Sequence, residues 1–421
     1  MHSTLSRNKK TPFTILIVFC FFLSSHSQSI NKKLHFTSEN RKKVTIPFKL
    51  SSNLIIIPIK INDSPTLQFI LDTGIKTAII TELYKDDSVS LNFFSEKPLF
   101  GLGAGKALTS YITINNTYYL KKVIGEYQTI LYLKEDVFQL SAQLGTKVNG
   151  LIGWDIFKNF IVEINYRREY VRLHHRKKFE YPKSRKWTSL PLTFHDGKPY
   201  IKARITQFNG TEMPVKLLID TGAGMPLWLS SASDEKIIVP EKHINTFIGQ
   251  GLNGDVHGKL GRIKKITIGE MEIEDVITAF PDTITVATSL IAGDNRNGSI
   301  GAELLNRFHL IIDYYHKKIS LKPNSNFKKA FEYNKSGLTI IEPAPGIPVY
   351  TVSFIREESP ADSAGLKIYD QLLRIGNQPV SDMKLDQINN FLFGRKGNKV
   401  YITVLRDGER IKTTLNLYNE I

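Results

Sequence analysis

Short apolar runs, separated by polar and turn-forming residues, recur along most of the chain and predict β-strands rather than helices. In the first half of the chain the runs cover residues 54–61, 67–71, 111–114, 160–164 and 171–173. In the second half they cover residues 200–205, 215–219, 263–268, 309–313 and 318–321. Both halves lack long helical periodicity. This spacing is typical of a β-sandwich or a β-barrel.

The two halves repeat each other at a constant offset of 148 residues (220 − 72). The tripeptide Asp72-Thr73-Gly74 recurs as Asp220-Thr221-Gly222, and both copies directly follow an apolar run. Three further landmarks keep the same offset: Gly101-Leu102-Gly103 with Gly249-Gln250-Gly251, residues 150–153 with 298–301, and Asn165-Tyr166 with Asp313-Tyr314. Since solenoid repeats have periods of about 20–50 residues, this much longer period indicates two copies of a whole domain.

The repeated aspartates carry the candidate chemistry. A single Asp-Thr-Gly is a weak signal, because Asp and Gly also favour an ordinary turn after a strand. Two carboxylates that meet across a pseudo-two-fold axis, however, share one proton, so that one acts as a general base while the other acts as a general acid. A water held between them can then attack an amide carbonyl. The Gly lets backbone amides approach the carboxylates, and the Thr hydroxyl can bond across the axis.

The paired tripeptides, together with Leu151-Ile152-Gly153 and Ser299-Ile300-Gly301, resemble the retroviral-type (pepsin-like) aspartyl proteases in the tandem two-lobe form of bacterial envelope proteins. The resemblance spans residues 55–321. It implies a mainly β fold in which two acid-protease β-barrel lobes form one bilobal unit around a substrate cleft. It implies Asp72 and Asp220 as the catalytic pair, without cofactor or metal, in a protease that is active as a monomer. The supporting residues would be Thr73, Gly74, Thr221 and Gly222.

Glycine-rich stretches in both copies are candidates for a flap over the cleft, which the resemblance also implies. The candidate flap glycines are Gly101, Gly103, Gly105, Gly249 and Gly251. Such glycines suit a moving lid, although ordinary surface turns have the same composition. Two positions depart from the family pattern. Ile75 stands where the family usually has Ala or Ser, whereas Ala223 fits in the second copy, and Ser299 replaces an apolar residue in the second Gly-ending element.

The pattern changes after residue 335 and resembles a PDZ domain of the bacterial protease type. The matching residues are Glu358-Ser359-Pro360-Ala361, Ala364-Gly365-Leu366, Asp370 and Arg406-Asp407-Gly408. Ser359 and Pro360 predict the start of a short helix, and the apolar spacing at residues 385, 388 and 392 predicts a second one over 384–393. PDZ domains bind an extended peptide or a C-terminal carboxylate. We expect the peptide groove at Gly346, Ile347, Pro348 and Val349, beside a strand over 349–354. The alternative is a packing domain with a blocked groove.

Composition removes several other classes of function. The 421 residues include 56 Lys and Arg and 40 Asp and Glu, a net charge of +16 that could indicate a nucleic-acid partner. Nine of the basic residues fall between Arg167 and Lys186, where the two copies join, and a solvated linker explains them better than a polyanion site. The one cysteine, Cys20, excludes a disulfide framework, and no metal-binding spacing is present.

The first residues have the layout of a secretory signal. Basic residues precede an apolar run over 13–23, which is shorter than the roughly 20 residues that a membrane-spanning helix needs. Small and polar residues follow, and we expect cleavage after Ser27. An N-terminal core helix is the alternative. The prediction is an exported protein, periplasmic or secreted, without a stable membrane span after cleavage.

Together these features predict an aspartic-type endopeptidase whose PDZ domain assists peptide or protein recognition. We expect a signal peptide at 1–27, an N-terminal extension at 28–48, protease lobes at 49–178 and 187–324, and the PDZ domain at 336–419. The expected partners are a peptide or protein substrate and a C-terminal peptide ligand of the PDZ domain, with no nucleic acid. Ile75 and the PDZ domain also motivate an alternative: a catalytically weak or inactive peptide-binding adaptor on a protease-like scaffold.

Overall fold

The computed structural model describes residues 33–99, 108–251, 254–282, 295–394 and 397–421. The predicted signal peptide and three of the candidate flap glycines, Gly101, Gly103 and Gly105, lie outside these residues. The chain is mainly β, as predicted, and ends in a small α+β domain. Within the described ranges we found no helix of the length and apolarity required to cross a membrane.

The first repeat folds into a barrel. Its strands are β1 (His35–Phe36), β3 (Lys49–Ser51), β4 (Leu54–Ile61), β5 (Leu67–Leu71), β6 (Ala78–Ile80), β7 (Asn92–Leu99), β8 (Leu108–Leu120), β9 (Val123–Leu133) and β10 (Gly150–Ile152). Six of them close a ring in the order β4-β5-β10-β6-β9-β8, because β8 pairs with both β9 and β4. Two short helices complete the lobe, α1 (Leu140–Leu144) and α2 (Trp154–Phe157).

The second repeat builds the same ring. Its strands are β14 (Thr193–His195), β15 (Lys198–Thr206), β16 (Glu212–Ile219), β17 (Leu227–Leu229), β18 (His243–Gly251), β19 (Gly254–Ile268), β20 (Met271–Pro281) and β21 (Gly298–Ile300). The ring runs β15-β16-β21-β17-β20-β19 and closes because β19 pairs with both β20 and β15. Helix α3 (Ala302–Leu305) follows β21. The equal apolar spacing of the two repeats therefore gives two equivalent barrels.

A six-stranded sheet joins the lobes. It contains β2 (Lys43–Pro47), β11 (Ile161–Asn165), β12 (Tyr170–His174), β13 (Thr188–Pro191), β22 (Phe308–Asp313) and β23 (Lys318–Pro323), in the order β13-β23-β22-β11-β12-β2. At its centre Glu163 of β11 lies opposite Ile311 of β22, its own counterpart in the repeat. The pseudo-two-fold axis therefore passes between these two strands. Strands β1 and β2 fall in the predicted extension at 28–48, so its described residues from 33 onward are part of the folded unit.

The C-terminal domain contains a six-stranded sheet. Its strands are β24 (Leu338–Ile341), β25 (Tyr350–Ile355), β26 (Gln371–Ile375), β27 (Gln378–Pro379), β28 (Lys399–Arg406) and β29 (Glu409–Asn416). Five of its strands follow the order β24-β25-β26-β28-β29, and the short β27 pairs with β26. Helices α4 (Pro360–Ser363) and α5 (Leu385–Leu392) lie close to the predicted positions. Leu385, Ile388 and Leu392 of α5 are buried in a core that is separate from the one shared by the two lobes.

Candidate active site

Both repeated aspartates stand at the end of a strand that runs parallel to its neighbour. Asp72 follows β5, which pairs with β10, and Asp220 follows β16, which pairs with β21. The backbone amide of Asp72 donates to the carbonyl of Ile152 over 2.9 Å, and that of Asp220 donates to the carbonyl of Ile300 over the same distance. The segments Leu151-Ile152-Gly153 and Ser299-Ile300-Gly301 thus cross behind the aspartate loops and fix their positions.

Two glycines of these crossing elements have no space for a side chain. A Cβ atom at Gly153 would lie 1.7 Å from the backbone oxygen of Asp72, and one at Gly301 would lie 2.0 Å from the backbone oxygen of Met225. Any larger residue would push the aspartate loop away. The close approach of the two backbone segments in each lobe explains why both copies of the motif end in glycine.

The threonines connect the lobes directly. The Thr73 hydroxyl donates to the carbonyl of Ile219 over 2.6 Å, and the Thr221 hydroxyl donates to the carbonyl of Leu71 over 2.7 Å. Each hydroxyl also accepts the backbone amide of the other threonine over 3.1 Å. Both side chains are buried. Four hydrogen bonds therefore hold the two aspartate loops in one fixed relation across the axis.

The carboxyl groups of Asp72 and Asp220 share one small volume. A Cβ atom at Gly222 would lie 2.3 Å from Cγ of Asp72, and one at Gly74 would be within 3.6 Å of an oxygen of either aspartate. Each carboxylate accepts a hydrogen bond from a backbone amide of its own loop. Gly74 donates to Asp72 over 2.6 Å, and Gly222 donates to Asp220 over 3.1 Å. The structure thus brings together all six residues that the sequence assigned to the dyad and its support.

The two aspartates have different electrostatic surroundings. Burial and the neighbouring charge of Asp220 together raise the pKa of Asp72 to about 7, against the opposing effects of the Gly74 amide and the charge of Lys198. Burial also raises the pKa of Asp220, but the charges of Arg296 and Lys198 and nearby backbone amides oppose that rise. The charge of Arg296 acts on Asp220 and favours the negative charge of the pair there, which leaves the shared proton on Asp72. The titration belongs to the pair.

Sequence reasoning missed the two cations. Lys198 begins β15 and Arg296 precedes β21, and both line the cleft that holds the dyad. The repeat offers the same signal for both: at the offset of 148, Lys198 corresponds to Leu50 of the first lobe and Arg296 to Val148. A charged residue at a position where the other copy is apolar breaks the symmetry of the site.

The cleft itself is a cavity of about 910 Å³ between the lobes. Apolar side chains from both lobes line it, including Ile75 and Leu151 of the first lobe and Trp228 and Ile248 of the second. Ile75 therefore contributes to the wall beside Asp72. Such a wall is suited to apolar side chains of a bound peptide.

The described flap candidates lie in one long hairpin. Gly249 is in β18, lines the cleft and has a φ of +157°, next to a register shift between Phe247 and Gly249. Gly251 ends the same strand, opposite Gly254 of β19. The position of this hairpin at the cleft is compatible with a flap, and its motion stays a prediction.

The predicted PDZ groove needs a correction. Gly346, Ile347, Pro348 and Val349 lie in the connection before β25, and β25 pairs with β24 on one edge and with β26 on the other. Since β24 pairs with β25 from Thr351 onward and β26 pairs with Tyr350 and Thr351, an extended peptide cannot add beside the predicted loop at the start of β25. The terminal strand of this sheet is β24, and α5 lies beside it. The sequence pattern located the strands but not their order.

Metal binding has no obvious site in the described part of the chain. No group of three or more His, Cys, Asp or Glu residues there is placed to hold a metal ion. The carboxylates of the dyad lie against backbone amides and each other instead.

Comparison with known proteins supports both parts of the resemblance. An aspartyl protease family model matches residues 202–304, which include Asp220, and a PDZ domain model matches residues 319–417. The resemblance to aspartyl proteases with a C-terminal PDZ domain is therefore confirmed.

Two individual proteins are also similar to this chain. A protein described as a probable 26S proteasome regulatory subunit p27, from Saccharomyces cerevisiae, is 27% identical over 118 residues, which are 27% of this chain and 48% of that protein. The chain thus spans about half the length of this curated relative. The crystal structure of an aspartic proteinase from Irpex lacteus aligns with a TM-score of 0.43 and 13% identity over 68% of this chain and 99% of that one.

Proposed function

We propose that this protein is an aspartic-type endopeptidase that cleaves peptide bonds with a water activated between Asp72 and Asp220. The observation that carries the proposal is the convergence of the two buried carboxyl groups, held by reciprocal threonine bonds. The apolar cleft around them gives a peptide substrate a place to bind.

The asymmetry of the dyad assigns a role to each aspartate. Asp220, favoured as the carboxylate, takes a proton from the water as its oxygen attacks the carbonyl carbon. Asp72, favoured as the acid, donates its proton to the carbonyl oxygen. The tetrahedral diol then collapses: Asp220 passes its proton to the amide nitrogen, Asp72 recovers one from a diol hydroxyl, and the C–N bond breaks. No covalent intermediate forms, and the pair returns to its starting state.

The test is cleavage of a peptide library by the mature protein, compared with Asp72→Asn and Asp220→Asn. We expect loss of at least about 100-fold in kcat for either variant, because each role needs an ionisable carboxyl group (about 10²–10⁴ per acid–base group). Asp382→Asn on the C-terminal domain is the matched control. Wild-type rates in both dyad variants would contradict the proposal.

The alternative is a peptide-binding adaptor on the same scaffold. Ile75 favours it, since this residue lies in the cleft wall where the family usually has a smaller one. If this alternative is correct, the protein binds peptides but does not cleave them. Cleavage that disappears in either aspartate variant would exclude it.

We further propose that the protein is exported, periplasmic or secreted, on the strength of the signal-like pattern at residues 1–27. Fractionation of cells that express the full chain, with N-terminal sequencing of the mature form, tests this. A mature protein that begins at Gln28 is expected, and retention of Met1 in the cytosol would contradict the proposal.

A further inference from the structure

The cavity that holds the dyad extends onto the C-terminal domain. Its lining includes Phe354 of β25 and, on α5, Asp386, Asn389 and Asn390. The helix residues are spaced at three and four positions, so they share one face of α5, while Leu385, Ile388 and Leu392 are buried in the domain core. We call this cleft-facing surface of α5 with Phe354 the α5 wall.

Contacts with both lobes hold the α5 wall at the cleft. The ring of Phe354 lies 5.9 Å from that of Phe247, in the hairpin of the second lobe. On the other side, the amide of Glu342 donates to the carbonyl of Ala142 in α1 over 2.9 Å. The C-terminal domain therefore bridges the two lobes.

The neighbouring loop is not built to hold a terminal carboxylate. The amides of Lys335 and Ser336, just before the edge strand β24, both point to the carbonyl of Leu392 at the end of α5, over 3.1 and 3.3 Å. The amide of Leu338 donates to the hydroxyl of Ser336 over 3.0 Å. Since these amides already have acceptors, the loop offers little to a free carboxylate, and an internal peptide segment fits this end of the domain better.

We propose that a polypeptide bound at the dyad continues along the α5 wall, so that the PDZ domain supplies distal subsites of the protease cleft. The ligand is an extended internal segment: carboxamides such as that of Asn389 can donate to and accept from a peptide backbone, and Phe354 offers an apolar contact. The proposal rests on the proposed function for its kinetic test, but not for its binding test.

The experiment compares short and long peptides in the full-length protein. Two peptides share one cleavage site, one of about 6 residues and one of about 16, which extend to roughly 20 and 50 Å. The variants are Asn389→Ala, which removes the carboxamide, and Asn389→Trp, which fills the wall. Asn416→Ala and Asn416→Trp are matched controls, because Asn416 is exposed at the end of β29.

We expect both Asn389 variants to raise KM for the long peptide at least fivefold, with kcat and the short-peptide KM unchanged within twofold. Amidation of the long peptide's C-terminus should change its KM less than twofold. Equal effects on both peptides, no effect on either, or a requirement for a free carboxylate would overturn the proposal. Faster cleavage of both peptides by Asn389→Ala would also overturn it, because the domain would then obstruct the cleft.

Binding separates this proposal from the proposed function. Fluorescence anisotropy with the labelled long peptide, on the Asp72→Asn background, needs no turnover. We expect Asn389→Ala to weaken binding at least fivefold and Asn416→Ala to leave it unchanged. If the wild type cleaves nothing while this difference in binding persists, the proposed function is wrong but the α5 wall still binds peptide. If Asn389→Ala binds the long peptide as tightly as the parent protein, the proposal for the α5 wall is wrong.

Discussion

The hydroxyl group of Thr73 accepts a hydrogen bond from the backbone amide of Thr221, and the hydroxyl group of Thr221 accepts one from the backbone amide of Thr73, both over 3.1 Å. Each hydroxyl also donates to a carbonyl of the opposite lobe. Four hydrogen bonds thus join the two aspartate loops directly. The geometry of the dyad depends on this exchange.

Removal of one threonine hydroxyl should damage both stability and activity. In Thr73→Val, the carbonyl of Ile219 and the amide of Thr221 lose their partners inside the protein, at a cost of about 2–4 kcal/mol in the free energy of unfolding. We expect kcat to fall at least tenfold as the carboxyl groups lose their alignment. Thr73→Ser keeps the hydroxyl and should retain most of both. Denaturant unfolding and peptide cleavage measure the effects, and equal behaviour of the Val and Ser variants would contradict this role.

Lys198 should set the pH range of the dyad. Its charge lowers the pKa of both aspartates, so Lys198→Gln should shift both limbs of the bell-shaped kcat/KM profile to higher pH. Activity would rise roughly two- to fivefold on the alkaline limb and fall similarly on the acid limb. Lys202→Gln, on the same strand but outside the cleft lining, is the control. An unshifted profile in Lys198→Gln would show that this charge does not act on the reacting pair.

Asp72→Asn should stabilise the protein at neutral pH. A carboxyl group whose folded pKa is raised from 3.8 to about 7 opposes folding once the pH exceeds the unfolded value, and the cost is complete above the folded value. We therefore expect the variant to gain about 4 kcal/mol at pH 7.5 and less than about 1 kcal/mol at pH 4. Thermal unfolding across this range measures the gain. Asp382→Asn should show no such trend. If the stability difference between Asp72→Asn and the wild type did not change with pH, the pKa of Asp72 would not be raised in the folded protein.

Glu163 should contribute to stability in the opposite sense. Burial opposes its ionisation, but hydrogen bonds from His174, His309 and Tyr170 and the charge of Arg172 outweigh burial and hold its pKa well below the ordinary value of 4.5. The stabilisation is present above that ordinary value and is lost as the pH falls through the lower folded one. Glu163→Gln should therefore cost about 2–4 kcal/mol at pH 7 and less below about pH 4.

An exposed ion pair provides the comparison for Glu163. Glu212 bonds to Arg204 over 3.0 Å, but both side chains are largely in solvent. Glu212→Gln should change the free energy of unfolding by less than about 0.5 kcal/mol. Chemical denaturation at pH 7 and pH 4 measures both variants. Similar small losses for Glu163→Gln would mean that the inter-lobe sheet does not depend on its central charge.

Local patterns were sufficient for much of the fold. The strands predicted at 54–61 and 67–71 have the observed bounds, and the helix predicted at 384–393 runs from Leu385 to Leu392. Such elements depend on neighbouring residues, whose periodicity is visible in one sequence. The groove at Gly346–Val349 was misplaced because the order of strands in a sheet depends on pairing between distant segments, and β24 rather than β25 took the edge.

The sequence by itself determined that Asp72, Thr73 and Gly74 have equivalents 148 residues later. Equivalent segments with equal apolar spacing fold into equivalent barrels, and a pseudo-two-fold pair of barrels brings the same residues to its axis. Only the tertiary structure decided that Lys198 and Arg296 act on this axis, that residues 43–47 complete the inter-lobe sheet, and that α5 lines the dyad's cavity. These contacts join segments that are far apart in the chain. They depend on how the folded domains pack against each other, which the periodicity of any single segment does not reveal.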